Sequence, residues 1–268
     1  MKKSDLLTPI GLIGGIILLV WGMKNDAGYG MFWDFSSVLI TVCGSAAALF
    51  VTIRMDDLKK FIKVLIQSFK ENKSSNSEVI SQFSALSKRA RREGLLSLED
   101  EISKIDDEFL KKGLQMVVDG IEPETIKEIL QLEINEMGER HFNNASMFAI
   151  WGGYCPAFGM LGTLIGLIQM LASNFSDASA IASGMGKALI TTFYGSFMSN
   201  LICNPIAANL QRKSALEVKE REMKLEGILA IQSGVNPRIV EEKLITYLEP
   251  TERVRYLKNN AEDSEGVA

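Results

Sequence analysis

Charged side chains are missing from four stretches of this chain, 6–23, 35–53, 142–176 and 188–211. Each is close to, or longer than, the roughly 20 residues that carry a helix across a bilayer. One such run in isolation can be the core helix of a soluble protein, but four together predict an all-α integral membrane protein with four transmembrane helices. The first run follows Lys2 and Lys3 in the manner of a signal peptide. No small-x-small cleavage site follows Trp21, so it is expected to stay as an uncleaved first span.

Between the second and third runs the pattern changes to a helical period. Leu58, Phe61, Ile62, Leu65, Ile66 and Phe69 recur at spacings of three and four with lysines between them, which predicts one apolar stripe and one wet face. The stretch "KENKSSNSE" breaks this helix. Another is predicted from about Glu78 to Arg92, stopped by Gly94, and Ser97 with Asp100 three residues on reads as the start of a further one. Pro123 suits a first helical turn, and "ETIKEILQLEINEMGER" then runs without interruption into the third apolar stretch. The fourth likewise continues outward through "QRKSALEVKEREMKLEGILAI", where Glu217 with Arg221 and Glu220 with Lys224 form supporting pairs four apart. "SGVNP" ends it, a short helix near Arg238 to Leu248 follows, and "KNNAEDSEGVA" is expected to be disordered. The expected domains are an N-terminal transmembrane hairpin at 1–54, a helical cytosolic domain at 55–141, a second hairpin at 142–211, and a cytosolic helical extension with a disordered tail at 212–268.

Charge adds orientation. Of 29 lysines and arginines, 27 fall in the N-terminus, in 54–140 or from 212 onward, and the two short connections hold only Lys24 and Lys187. Basic residues are retained on the cytoplasmic side, so both termini are expected there. Acidic residues dilute the basic ones in the cytosolic segment, which argues against nucleic acid. Cys43, Cys155 and Cys203 all fall in apolar runs and behave there as small apolar groups. His141 is the only histidine and is expected at an interface rather than in a proton relay. Neither cofactor nor metal framework is implied, and no cluster of catalytic groups suggests an enzyme.

The two hairpins differ in chemistry. The first is rich in Leu, Ile and Val, whereas the second interleaves small and hydroxylated residues. Gly159, Thr163 and Gly166 share one side of the third helix, and Gly162 with Gly166 makes a small-xxx-small pair that permits close approach. Thr192, Ser196 and Ser199 follow helical spacing in the fourth. The glycines read first as packing; Thr163 and Thr192 read equally well as packing or as hydroxyls along a polar path. Pro156 and Pro205 each remove a backbone donor and free a carbonyl, giving either a fixed kink or a hinge. None of the four runs holds an Asp, Glu, Arg or His at its centre. An ion crossing hydrocarbon normally needs such a group, so any ion-binding carboxylate must come from a partner.

The stretches "PAFGMLGTLIGL", "ALITTFYGSFMSNLICNPI" and "RREGLLSLE" together resemble the MotA/PomA family of flagellar stator subunits, and the layout of spans extends the resemblance over nearly the whole chain. It implies an ion-driven motor subunit of the bacterial inner membrane, five copies of which surround a MotB-type single-span partner that carries the ion-binding aspartate. By the same resemblance Thr192 lies near that aspartate with Thr163 beside it, Pro156 and Pro205 couple ion passage to conformational change, and Arg91, Arg92 and Glu99 engage the rotor protein FliG. Thr163 is more typical of sodium-type members, where proton-type members often carry alanine, so the ion is proton or sodium. An ExbB/TolQ-type energy-transducing subunit is the alternative, but that family lacks the first hairpin. A passive membrane scaffold would have no use for hydroxyls and prolines where leucine packs as well.

Overall fold

The computed structural model describes residues 7–24, 28–69, 76–173 and 177–265, and every regular element among them is helical. In chain order these are α1 (Leu7–Gly22), a 3-10 turn (Tyr29–Phe32), α2 (Phe35–Val38), a π turn (Leu39–Cys43), α3 (Gly44–Thr52), α4 (Met55–Ser68), α5 (Asn76–Glu93), a 3-10 turn (Leu95–Leu98), α6 (Glu99–Ile102), α7 (Glu108–Val118), α8 (Pro123–Ala172) and α9 (Ala178–Phe197). A second π turn (Met198–Cys203), α10 (Asn204–Gln232), α11 (Pro237–Ile245) and α12 (Pro250–Glu265) complete the chain. The chain divides into two compact units, Met1–Glu71 with His141–Arg212, and Asn72–Arg140 with Lys213–Ala268. Helices α8 and α10 contribute residues to both.

The first unit contains the apolar runs. Two helical segments, Tyr29–Thr52 and Pro123–Ala172, are long and apolar enough to cross a membrane, and Thr8–Gly22 is a shorter apolar helix. Among the described residues, two of the four expected spans are thus marked by length and composition. The fourth run lies in a helix that continues from α9 through the π turn at Met198–Cys203 into α10, and its threonines, serines and asparagines make it less apolar than those two. Helix α4 clusters with this unit rather than with 72–140. The reason lies in its apolar stripe: Phe61 stacks on Phe148 with ring centroids 4.5 Å apart, and Val64 is buried with Phe148, Ile206 and Ala207. The apolar segment itself ends at Thr52, so α4 packs with the first unit from outside that run.

The second unit has a helical core built from α5, α7, α8, α10 and α11, in which Phe83, Leu110, Leu114, Ile126, Leu130, Met223 and Ile228 are all inaccessible to solvent. Asp107 starts α7 by accepting from Leu110 N–H at 3.0 Å, and Asn236 starts α11 by accepting from Arg238 N–H at 3.1 Å. Gly94 ends α5 with a φ of 85°, where a residue with a Cβ would be strained. Ser97 does not cap a helix. Its hydroxyl donates to Gly94 O at 2.6 Å, because the chain leaves the left-handed glycine through a 3-10 turn at Leu95–Leu98 and only then enters α6. The tail also departs from expectation: α12 extends to Glu265 where disorder was expected from Lys258. Tyr256, buried and donating to Glu241 at 3.0 Å, anchors its middle turns, and adding residues to an anchored helix is cheap once the nucleus exists. Residues 266–268, and residues 70–75 of the predicted break, lie outside the described residues.

Candidate functional site

Helices α8 and α9 approach closely because glycines face each other's backbone. A Cβ at Gly195 would stand 2.6 Å from Cys155 O, and one at Gly166 2.7 Å from Gly184 O, distances that real Cβ atoms do not tolerate. Packing is therefore what these glycines do, as their spacing suggested. The approach brings the two threonines together. Thr163 Oγ1 lies 2.6 Å from Thr192 Oγ1, and also 3.0 Å from Ala188 O and 3.1 Å from Gly159 O. Thr192 Oγ1 lies 3.2 Å from the same Ala188 O. Two hydroxyl protons are thus shared among several oxygen acceptors, leaving lone pairs at the exposed Thr192. Such a cluster can exchange hydrogen bonds with a passing water or ion without first breaking an apolar contact.

Beyond Thr192 the predicted stripe is broken. Ser196 stays exposed beside it, but Ser199 is 4% exposed. Ser199 stands four residues after buried Gly195 and so shares the inward face of Ala188, Thr191 and Gly195. The π turn that begins at Met198 treats the prolines differently. Pro156 sits in the interior of α8, so the carbonyl it leaves without a donor is that of Gly152, four residues back. Pro205 stands directly after the π turn, at the start of α10, where the widened backbone relieves the clash its ring would make one turn earlier.

The charged residues singled out from the sequence sit in the second unit. Arg91 and Arg92 occupy the exposed last turn of α5, and Glu99 opens α6, also exposed. Half-buried Arg89 braces them: it pairs with Glu93 at 3.1 Å and reaches across to Glu101 at 2.5 Å, while Lys104 meets Glu101 at 3.1 Å. Hydrogen bonding and charge from Lys104, assisted by Arg89, hold the Glu101 carboxyl below the usual carboxylate range. Buried Leu98 pins the intervening turn, while Leu96 is left 71% exposed. Arg91, Arg92 and Glu99 are thereby presented to solvent on a fixed turn.

Residues 101–223 match the model of the MotA/TolQ/ExbB proton channel family. Motility protein A of Borreliella burgdorferi is 46% identical over 241 residues, covering 90% of this chain and 92% of its own. The chain belongs to the motility protein A family. Among solved structures, a chain of the flagellar MotAB stator complex from Bacillus subtilis superposes with a TM-score of 0.87 at 35% identity, covering 94% of this chain and 99% of that one. A chain of the C. jejuni MotAB structure gives 0.84 at 30% identity, with 92% and 96% covered. The ExbB/TolQ alternative survives only as the wider grouping in the family model.

Set beside this family membership, several residues that sequence reasoning passed over acquire a place. Arg89 and Glu93 are four apart on α5, a spacing that could have identified the brace. Ser45 had no such signal: its hydroxyl accepts from Trp151 Nε1 at 3.1 Å across 106 residues of chain, and it is completely buried. Lys224 was noted only as a helical pair with Glu220. It is 5% exposed and also bonds Asp107 at 2.5 Å, joining α10 to the N-terminus of α7.

Proposed function

We propose that this chain is the stator subunit of a bacterial flagellar motor, a multi-pass inner-membrane protein with four spans and both termini in the cytoplasm. It works as an oligomer, five copies around a MotB-type single-span partner that brings the ion-binding aspartate, and it turns the flow of protons or sodium ions into torque on the rotor protein FliG. It is an ion-driven motor subunit, not an enzyme. The observation that carries this reading is the hydroxyl pair of Thr163 and Thr192, 2.6 Å apart, in a unit whose apolar runs lack any carboxylate of their own. Thr163 and Thr192 line the path beside the partner's aspartate, Pro156 and Pro205 convert occupancy of that aspartate into helix movement, and Arg91, Arg92 and Glu99 meet the rotor. Moving one charge through 100 mV supplies about 2.3 kcal/mol, which shifts a two-state equilibrium roughly fifty-fold. That is enough to step a ring when repeated.

The reading is tested by expressing the chain with such a partner in a strain without its own stator. Swimming should return, and its dependence on sodium against pH identifies the ion. Absence of both swimming and co-purification with the partner would reject it. Two further outcomes are expected. Liposomes containing this chain alone should show no ion flux above empty ones, since this polypeptide supplies no titrating carboxylate at hydrocarbon depth. Arg91→Glu or Glu99→Lys should impair swimming at least tenfold while flux through the assembled complex is kept, because both side chains are exposed and outside the braced core. Loss of membrane insertion in these variants would reassign the residues to folding.

A further inference from the structure

The π turn at Met198–Cys203 is closed at its end by Asn204. The backbone N–H of Asn204 donates to Ser199 O, five residues back, which is a hydrogen bond of the wide kind. Its side chain repeats the connection: Nδ2 donates to Ser199 Oγ at 3.1 Å. In an ordinary α turn the Asn204 N–H would go to Asn200 O, and both links to Ser199 would be lost. Ser199 is buried, so its hydroxyl has few other partners to take up.

The same side chain touches the other proline's helix. A Cβ at Gly152 of α8 would meet Asn204 Oδ1 at 2.5 Å and Cys203 Cβ at 3.1 Å. Gly152 is the residue whose carbonyl Pro156 leaves without its helical donor. Asn204 itself immediately precedes Pro205. One amide therefore stands next to the weakened turn of α8, beside Pro205, and across the π turn.

We infer that Asn204 is the positioning residue that couples the two proline sites. It rests on the stator reading above and deepens it. Flexing of α8 at Pro156 moves Gly152 against the Asn204 amide. That movement trades the bond to Ser199 Oγ for the free Gly152 carbonyl, and the π turn before Pro205 closes toward an α turn. Removal of one residue's worth of widening rotates α10 relative to α9, so the two prolines act as one joint. Gly152 must remain without a side chain because the amide moves against it.

The experiment compares Asn204→Ala, Ser199→Ala and Ser199→Thr, each expressed with the one-span partner in a strain without its own stator. Co-purification with the partner, ion flux through the complex and rotation of tethered cells are read for each. Both alanine variants should co-purify normally and keep flux within about twofold, yet lose about tenfold in torque per ion, the value of one hydrogen bond. Ser199→Thr keeps the hydroxyl and should turn normally. The double alanine variant should be no worse than either single one, since both delete the same link. Unchanged torque in Ser199→Ala overturns the inference, as does a parallel loss of flux and torque, which would make Ser199 part of the path instead. Failure of both alanine variants to co-purify overturns it too, leaving Asn204 a purely structural role. If the unmutated chain neither restores rotation nor conducts with its partner, the stator reading itself falls.

Discussion

Replacing Pro156 by leucine should leave the complex assembled and bring rotation to a halt. Pro156 lies inside α8, a helix of 50 residues, and is half-buried, so leucine meets no wall that forbids it. The substitution returns an N–H to the helix and gives the Gly152 carbonyl its donor. A proline in a helix interior costs about 3 kcal/mol relative to a good helix former, so the variant helix is stiffened by that order. Two packings that were close in energy then differ by more than the about 2.3 kcal/mol that one charge gains from 100 mV. The ion no longer moves the joint. Tethered-cell rotation should fall at least a hundredfold, while co-purification with the one-span partner stays within about twofold of the parent; normal swimming would show that the proline is only a kink.

Lys224→Ala should be the most damaging single change to the second unit. The ammonium is 6% exposed as a side chain and bonds both Asp107 and Glu220. Burial disfavours its charge, but the hydrogen bonds from its ammonium to these two carboxylates outweigh that and raise its pKa. For Asp107, burial pushes the carboxyl up, and the bonds from Lys224 and from Leu110 N–H more than reverse it, leaving the pKa lowered. Taking away the lysine leaves two carboxylates partly buried without their cation, a loss of about 3–5 kcal/mol. Heating the purified complex while cleaving the cytosolic region with protease should show an early transition in Lys224→Ala. The pH dependence follows from the two directions. The lowered Asp107 contributes stability above its ordinary value of 3.8 and loses it as pH falls through the still lower folded value. The raised Lys224 contributes fully below 10.5 and loses it as pH rises beyond that. The second unit should therefore keep this contribution across neutral pH, and an unaltered melting point in Lys224→Ala would contradict the role given to the triad.

Long periodic segments were readable in advance. α8 came out as one helix because nothing between Pro123 and Ala172 except Pro156 interrupts it. The end of α5 was readable because Gly94 has a local chemical reason to stop a helix. The misses share another character. Ser97 looked like a cap, but the left-handed glycine three residues earlier claimed its hydroxyl. Ser199 follows the spacing of the threonine stripe, and which of its members are covered by a neighbouring helix had no local signal. Helix α4 has lysines on its wet face and an apolar stripe, but no local signal says which unit the stripe packs against. Its position was decided by Phe61, which meets a ring 87 positions further along the chain in number but adjacent in space.

Properties that depend on neighbours within a turn or two were already present in the amino-acid string. These include the helical class, the length of the apolar runs, the lack of a carboxylate in them, and the placing of Arg91, Arg92 and Glu99 beside a glycine stop. Folding alone determined which groups meet across distant helices: Thr163 with Thr192, Ser45 with Trp151, Asn204 with Gly152, and Lys224 with Asp107. The difference is physical. Helix period and burial propensity act locally and can be summed along a chain, whereas a hydrogen bond needs atoms within about 3 Å, and only the packing of glycine-lined helices brings those atoms there.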